Sequence, residues 1–352
     1  MTYTYPLGDC TVERAADVGG KALGLGSLVR QARDVPPGFV VTTGAYREWV
    51  GGHVLDREIE RVLSAASSPD AASREIAALF SGAALTGELA ADVAAAYTRL
   101  VDGADPLVAV RSSATAEDMA DASFAGQQES YLGVSGVDAV LGHVVRCWAS
   151  LFTPQAISYR QRLGIPPGQV AMAVLVQRLV AAEAAGVMLT IDPVTGDRSQ
   201  ITIEAAHGLG PPVVGGELTP DRFAVDKVTL AMRSRTVVRK PFADRLDRAT
   251  GTVARLGLDD AEGSAPSLQD DEVIQLARVG KDVERVHGSA VDVEWAVGPG
   301  PDGPRHLYLL QARPETVWST RRATPVAAAQ TTALDRMVSM MTGSTRKDQG
   351  KS

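Results

Sequence analysis

Arg111, Ser112 and Ser113 follow a short apolar run, residues 107–110, that Pro106 introduces and that reads as a strand. A strand that ends in a guanidinium and two hydroxyls is suited to a ligand, and the small-residue loop from Ser123 to Ser130 strengthens that reading. Gly126 has no Cβ, so backbone N–H groups beside it can approach a polyanion. A fixed cation followed by a hydroxyl-rich glycine loop is what holding a nucleotide's phosphates requires. A solvated loop with Arg111 in a salt bridge satisfies the same composition. A second group lies near the far end. Residues 290–297 and 306–313 read as a hairpin, with Asp292 and Glu294 on one face of the first strand and Gln311 and Arg313 on one face of the second. If those faces coincide, carboxylate and amide oxygens converge with a guanidinium, a set that suits Mg²⁺ on a polyphosphate. An exposed polar hairpin face meets the same spacing. Lys21 begins a helix, where the macrodipole disfavours a cation unless an anion is near. Gln177, at the end of an apolar strand, either offers its amide to an adenine edge or is solvated.

The elements that must position these groups are set by periodicity. Leu25, Leu28, Val29 and Ala32 recur at helical spacing over residues 21–33, and a strand over 39–43 comes after the break at 34–38. Residues 55–103 are helical in character, interrupted at 67–69 and 86–87. Helices are expected over about 137–152, 156–163 and 270–287, and strands over 170–180, 185–191 and 200–204. Residues 192–197 form a turn, 206–216 a glycine-rich segment, and 220–240 antiparallel strands. From 318 onward the chain reads as a tail, with a helix over 327–341 and a disordered end over 344–352.

At 352 residues the chain is long for a single core, so two lobes, 1–180 and 181–317, are expected before the 318–352 tail. A net charge of -7 argues against nucleic acid as the main partner, because phosphate neutralisation needs a basic surface. Cys10 and Cys147 stand far apart with no CxxC pattern, which speaks against a zinc site or a disulfide framework. The N-terminus lacks a basic stretch followed by an apolar one, and no apolar run reaches membrane-spanning length. A soluble cytoplasmic protein is the expectation. There is no Walker A pattern, no GxGxxG between a strand and a helix, and no kinase catalytic loop.

Eight segments then occur in a fixed order: 19–21 with the helix after it, 36–43, 110–113, 123–128, 176–177, 215–221, 292–296 and 310–314. Together they resemble the N-terminal ATP-binding module of phosphoenolpyruvate synthase, pyruvate phosphate dikinase and rifampicin phosphotransferase, over roughly residues 10–317. The resemblance implies an α+β, ATP-grasp fold whose two lobes, built on mixed and antiparallel sheets, clamp ATP. It also implies roles for residues of this chain. Lys21, Arg111 and Arg313 would hold and act on ATP phosphates, and the loop of Gly126 and Ser130 would cover them. Gln177 would lie beside the adenine, and Glu294 and Gln311 would hold Mg²⁺. In such enzymes the β-phosphoryl of ATP passes to a histidine on a swivelling domain, leaving AMP and phosphate.

The five histidines, His53, His143, His207, His287 and His306, do not lie in the sequence setting of that swivelling domain. His207, in the glycine-rich segment, is expected to be structural or to lie near ATP. The expected partner is therefore a separate histidine-bearing subunit, as in phenylphosphate synthase and the cresol-phosphorylating enzymes, with a small, phenol- or cresol-like acceptor bound by that partner. An excised domain of a longer enzyme fits the same residues. Two further readings stay open: a self-sufficient ATP-grasp kinase or ligase that releases ADP, and a non-enzymatic ATP-sensing module.

Overall fold

The computed structural model describes residues 2–101, 107–114, 130–247, 250–300, 303 and 305–318. Gly126 with its loop, and the expected tail helix and disordered end, lie outside the described residues. The chain divides into a compact unit, Met1–Thr316, and a second unit, Val317–Ser352.

Thirteen strands and ten α-helices are described in the first unit. The strands are β1 (Thr4–Pro6), β2 (Gly38–Val41), β3 (Val108–Ala114), β4 (Ser130–Val134), β5 (Met172–Arg178), β6 (Ala184–Leu189), β7 (Gln200–His207), β8 (Asp221–Asp226), β9 (Met232–Thr236), β10 (Phe242–Asp247), β11 (Thr252–Gly257), β12 (Val291–Pro299) and β13 (Arg305–Pro314). The helices are α1 (Ala15–Arg30), α2 (Thr43–Gly52), α3 (Leu55–Ala65), α4 (Pro69–Ser81), α5 (Gly87–Val101), α6 (Val137–Ala149), α7 (Pro154–Leu163), α8 (Pro211–Val214), α9 (Asp260–Ser264) and α10 (Asp270–His287). A five-stranded sheet has the order β1-β2-β5-β3-β4, a six-stranded sheet the order β13-β12-β6-β7-β8-β9, and β10 pairs with β11 alone. Every pairing is antiparallel.

Two cores hold this arrangement. One packs α2 to α6 on the five-stranded sheet around Trp49, Phe80, Trp148 and Phe152. The other joins both sheets: Val40 and Leu175 from the first meet Ile203, Phe223 and Trp295 from the second, with Leu25 and Leu28 of α1 among them. α1 is thus the common wall of the two sheets, and its glycines explain how close they come. A Cβ at Gly24 would lie 2.4 Å from the Ala312 carbonyl, so β13 can run against the helix backbone only where a side chain is missing.

Sequence and structure differ in three places that matter. α1 begins six residues earlier than expected, at Ala15, but Gly19 (φ 74°, ψ 169°) breaks its path, so Lys21 still stands in the first turn of the continuous helix. β3 does not end at Arg111. It pairs with β5 as far as Ala114↔Met172, which puts Arg111 in mid-strand. The polar pair Ser112 and Ser113 disguises the continuation, yet both are fully buried. The Ser113 hydroxyl donates to Val18 O (2.8 Å) and accepts from Ala22 N (3.2 Å), so it replaces an apolar contact with α1. The β10–β11 hairpin has no counterpart among the expected elements. Its strands carry Asp and Arg, paired as Asp244 and Arg255, on the same face as Val253, and this masks the alternation.

Candidate active site

The hairpin register brings the expected residues into line. Asp292 stands opposite Arg313 and Glu294 opposite Gln311, with a bulge immediately after Glu294. The faces therefore coincide. α1 and β3 supply the facing wall. The Lys21 ammonium is nearly buried and donates to Ser112 O at 3.0 Å, and Arg111 reaches from the five-stranded sheet to Glu294 Oε2 at 2.6 Å and Leu310 O at 3.4 Å. Arg313 donates to Asp292 Oδ2 through Nε (2.9 Å) and Nη2 (2.7 Å). Lys21, Arg111, Ser130, Gln177, Glu294, Gln311 and Arg313 all line one cavity of about 500 Å³. That volume lies in the range of small-molecule sites.

The two acidic side chains are tuned in opposite directions. Burial works against the charge of Glu294, but Arg111, helped by Lys21 and Arg313, outweighs it and holds the carboxyl below its usual value. At Asp292 burial wins over the Arg313 contact and the carboxyl is raised, with the Glu294 charge adding to the effect. Beside them the Gln311 Oε1 is buried and meets no hydrogen-bond donor among the described residues. An ionised carboxylate next to an unsatisfied amide oxygen is a hard-oxygen donor pair that fits a divalent cation such as Mg²⁺.

The other end of the cavity is apolar. Ala182, Ala185, Leu209 and Ala296 form a small cluster of their own, with Leu132, Leu179, Val180 and Leu310 packed on it. All eight also line the cavity. An apolar slot opening on a charged end matches a molecule with a flat ring and a polyanionic tail. Gln177 is buried rather than solvated. Its Nε2 donates to Pro36 O at 2.9 Å, and because a carbonyl can only accept, that contact settles which way the amide lies.

One wall carries little signature in the sequence. Leu209, Gly210, Pro211, Val214 and Gly215 line the cavity, and the signs of this wall in the sequence are the glycine-rich composition of 206–216 and the segment that begins at Gly215. His207, at the head of this wall, is absent from the cavity lining. Its Nε2 donates to Ala265 O at 3.2 Å, and burial together with nearby Lys240 lowers its pKa. Lys240 and Asp221 form a fully buried ion pair at 2.7 Å. Asp221 also accepts from Val238 N, Ser267 N and the Ser267 hydroxyl, while Lys240 donates to Ala265 O. The wall is thereby anchored through a closed polar network.

The model of the pyruvate phosphate dikinase AMP/ATP-binding domain family matches residues 15–334. This chain belongs to that family. Phosphoenolpyruvate synthase of Aeropyrum pernix is 40% identical to it over 342 residues, covering 87% of this chain and 41% of the relative. Rifampicin phosphotransferase of a Streptomyces species is 40% identical over 321 residues, covering 88% and 35%. The probable phosphoenolpyruvate synthase of Methanocaldococcus jannaschii is 40% identical over 306 residues, covering 85% and 25%. The chain thus spans well under half the length of these relatives. Its α+β, ATP-grasp-type fold of helices and antiparallel sheets is the family's. Among the described residues, no helix is long and apolar enough to cross a membrane.

Proposed function

We propose that this chain is the ATP-binding part of a dikinase-type phosphotransferase, with lobes at about 1–180 and 181–317 that clamp Mg-ATP between them. The observation that carries the reading is the alignment of Glu294 opposite Gln311, with Arg111 reaching across from the other sheet to the same carboxylate. The base takes the apolar slot beside Gln177, and the phosphates run toward Lys21, Arg111 and Arg313. Glu294 and Gln311 hold the Mg²⁺, which when bound neutralises phosphate oxygens. The chain's own contribution is placement and charge: three cations fix the phosphate chain in line for attack. Gly126 and Ser130 are assigned to the loop over the phosphates.

The nucleophile is a histidine of a swivelling domain. Its nitrogen bonds the β-phosphorus as the bond to the AMP oxygen breaks, and water takes the γ-phosphoryl as phosphate. All five histidines of this chain are described, and none is among the residues lining the cavity. His53 and His143 instead contact helix carbonyls of Trp49 and Ala139, and His306 pairs with Asp34. We place the phosphoryl-carrying histidine on a partner subunit in the cytoplasm, and the small acceptor with it. A phenol or cresol is the first class to test. The experiment is to co-express the chain with the product of its neighbouring gene and add ATP labelled at the β-phosphorus. Label on a partner histidine with AMP released is the expected result. Full turnover by the purified chain alone, with ADP as product, would refute the reading.

A further inference from the structure

Two strands that belong to neither large sheet pack beside the apolar end of the cavity. β10 and β11 pair from Phe242↔Gly257 to Asp247↔Thr252. On one side they are tied to the glycine-rich wall: Leu209 N donates to Asp244 O at 2.8 Å, and a Cβ at Gly208 would lie 2.3 Å from the same oxygen. Gly208 has φ +79°, so both the backbone conformation and the close approach call for glycine there. Arg255 braces this side, stacked 4.1 Å over Phe242 and paired with Asp244 (2.7 Å) and Glu217 (2.8 Å).

On the other side the strands rest on the five-stranded sheet. A Cβ at Gly133 of β4 would lie 3.4 Å from Val253 Cγ2, and one at Gly251 would lie 3.6 Å from Leu107 Cδ2. Val253 packs, as Leu132 does, on the cluster of Ala182, Ala185, Leu209 and Ala296 that forms the apolar slot. Val253 itself is not among the residues lining the cavity. It presses on the slot from behind.

We infer that the β10–β11 hairpin is a strap over the slot, fixed to the glycine-rich wall and resting on β4 through Val253, and that its parting from β4 lets the purine base of a nucleotide enter and leave. The asymmetry of the two sides is the reason. Among the described residues, a backbone hydrogen bond from Leu209 to Asp244 and the Arg255–Glu217 ion pair hold the Leu209 side, whereas the contact of Val253 on Gly133 is dispersion, which fades within an ångström of separation. The weak seam therefore runs between β11 and β4, at the edge of the five-stranded sheet. Val253 is a positioning residue that acts through the cluster of Ala182, Ala185, Leu209 and Ala296. The inference rests on the reading that a nucleotide base occupies the slot.

Stopped-flow binding of a ribose-labelled fluorescent ATP in Mg²⁺ tests it. Val253→Ala thins the contact without filling or charging the slot, so association and dissociation should both quicken by about three- to tenfold, with the equilibrium Kd held within about twofold. Val253→Ile should slow both. Faster dissociation with unchanged association would make Val253 a packing residue of the bound state and overturn the strap, as would two unchanged rates. If the unsubstituted chain failed to bind the labelled nucleotide, the reading of the slot would fall first and the strap with it.

Discussion

Glu294 of β12 and Arg111 of β3 face each other across the cavity with 2.6 Å between carboxylate oxygen and guanidinium nitrogen, a bond that joins the two large sheets. The residues assigned to metal and to phosphate are therefore each other's counter-ions. A cation drawn to Glu294 frees Arg111 for a phosphate, and a phosphate drawn to Arg111 frees Glu294 for a cation, so the two ligands should bind cooperatively.

Glu294→Gln keeps the shape and removes the charge. Mg²⁺-dependent phosphotransfer should fall by about a hundredfold or more, the scale of losing one preorganised charge at a reacting phosphoryl group. Calorimetric titration with ATP, with and without Mg²⁺, should show the gain from the metal disappear. An undiminished metal effect would place the cation elsewhere.

Arg111→Ala should abolish transfer and also cost stability, because it leaves a largely buried carboxylate without its counter-ion. Removing one partner of such a pair costs about 3–5 kcal/mol at neutral pH. Of the cations that hold the Glu294 carboxyl below its ordinary value of 4.5, Arg111 has the largest effect, so burial should raise that pKa once Arg111 is gone. A raised carboxyl destabilises the fold at pH above its unfolded pKa, and the penalty fades as pH falls toward that pKa. Urea denaturation at pH 7.5 and pH 5 should show the variant's deficit shrinking on acidification. A deficit that ignores pH would mean Glu294 is not the group left unpaired.

His207 should give the protein an acid-sensitive step. Its folded pKa lies below the ordinary 6.5, so the native state resists a proton that the unfolded chain accepts, and stability falls as pH drops below about 6.5. His287, lowered by burial, contributes in the same sense. In His207→Gln the loss of stability between pH 7 and pH 5.5 should be smaller, read as melting temperature against pH. An unchanged slope would assign the step to His287.

Asp221→Ala leaves Lys240 charged in a site from which water is fully excluded, and strips an acceptor from Val238 and Ser267. A loss of about 3–5 kcal/mol or failure to fold is expected. The double change Asp221→Leu with Lys240→Met should recover part of it, since an apolar pair carries no unpaired charge. Chemical denaturation of both proteins decides the point.

Gly24→Ala tests the wall shared by the sheets. A methyl 2.4 Å from Ala312 O must push β13 away from α1, and with it Gln311 and Arg313 away from Lys21. Destabilisation of about 1–3 kcal/mol and a weaker affinity for ATP should appear together. Lost stability with unchanged affinity would show that the site does not depend on this spacing.

Much of the site is legible in the chain because it is written in local periodicity. Alternation places Asp292 and Glu294 on one face and Gln311 and Arg313 on another, the helical spacing after Gly20 puts Lys21 at a helix start, and α10 is readable from end to end. These signals need only near neighbours along the backbone. Register, partner and burial are set by residues far apart in sequence. Only the fold puts Glu294 opposite Gln311, carries Arg111 across from a sheet 183 residues away in sequence to meet Glu294, and turns Ser112 and Ser113 into buried strand residues. Long-range packing also decides what local composition conceals: that the glycine-rich 206–216 segment forms a cavity wall, that Gln177 is locked by Pro36 O, and that residues 242–247 and 252–257 pair and pack against β4. The sequence specified which side chains could do the chemistry. The tertiary structure alone brought them to a single cavity and set their charges against one another, because desolvation and charge pairing exist only once distant strands have packed.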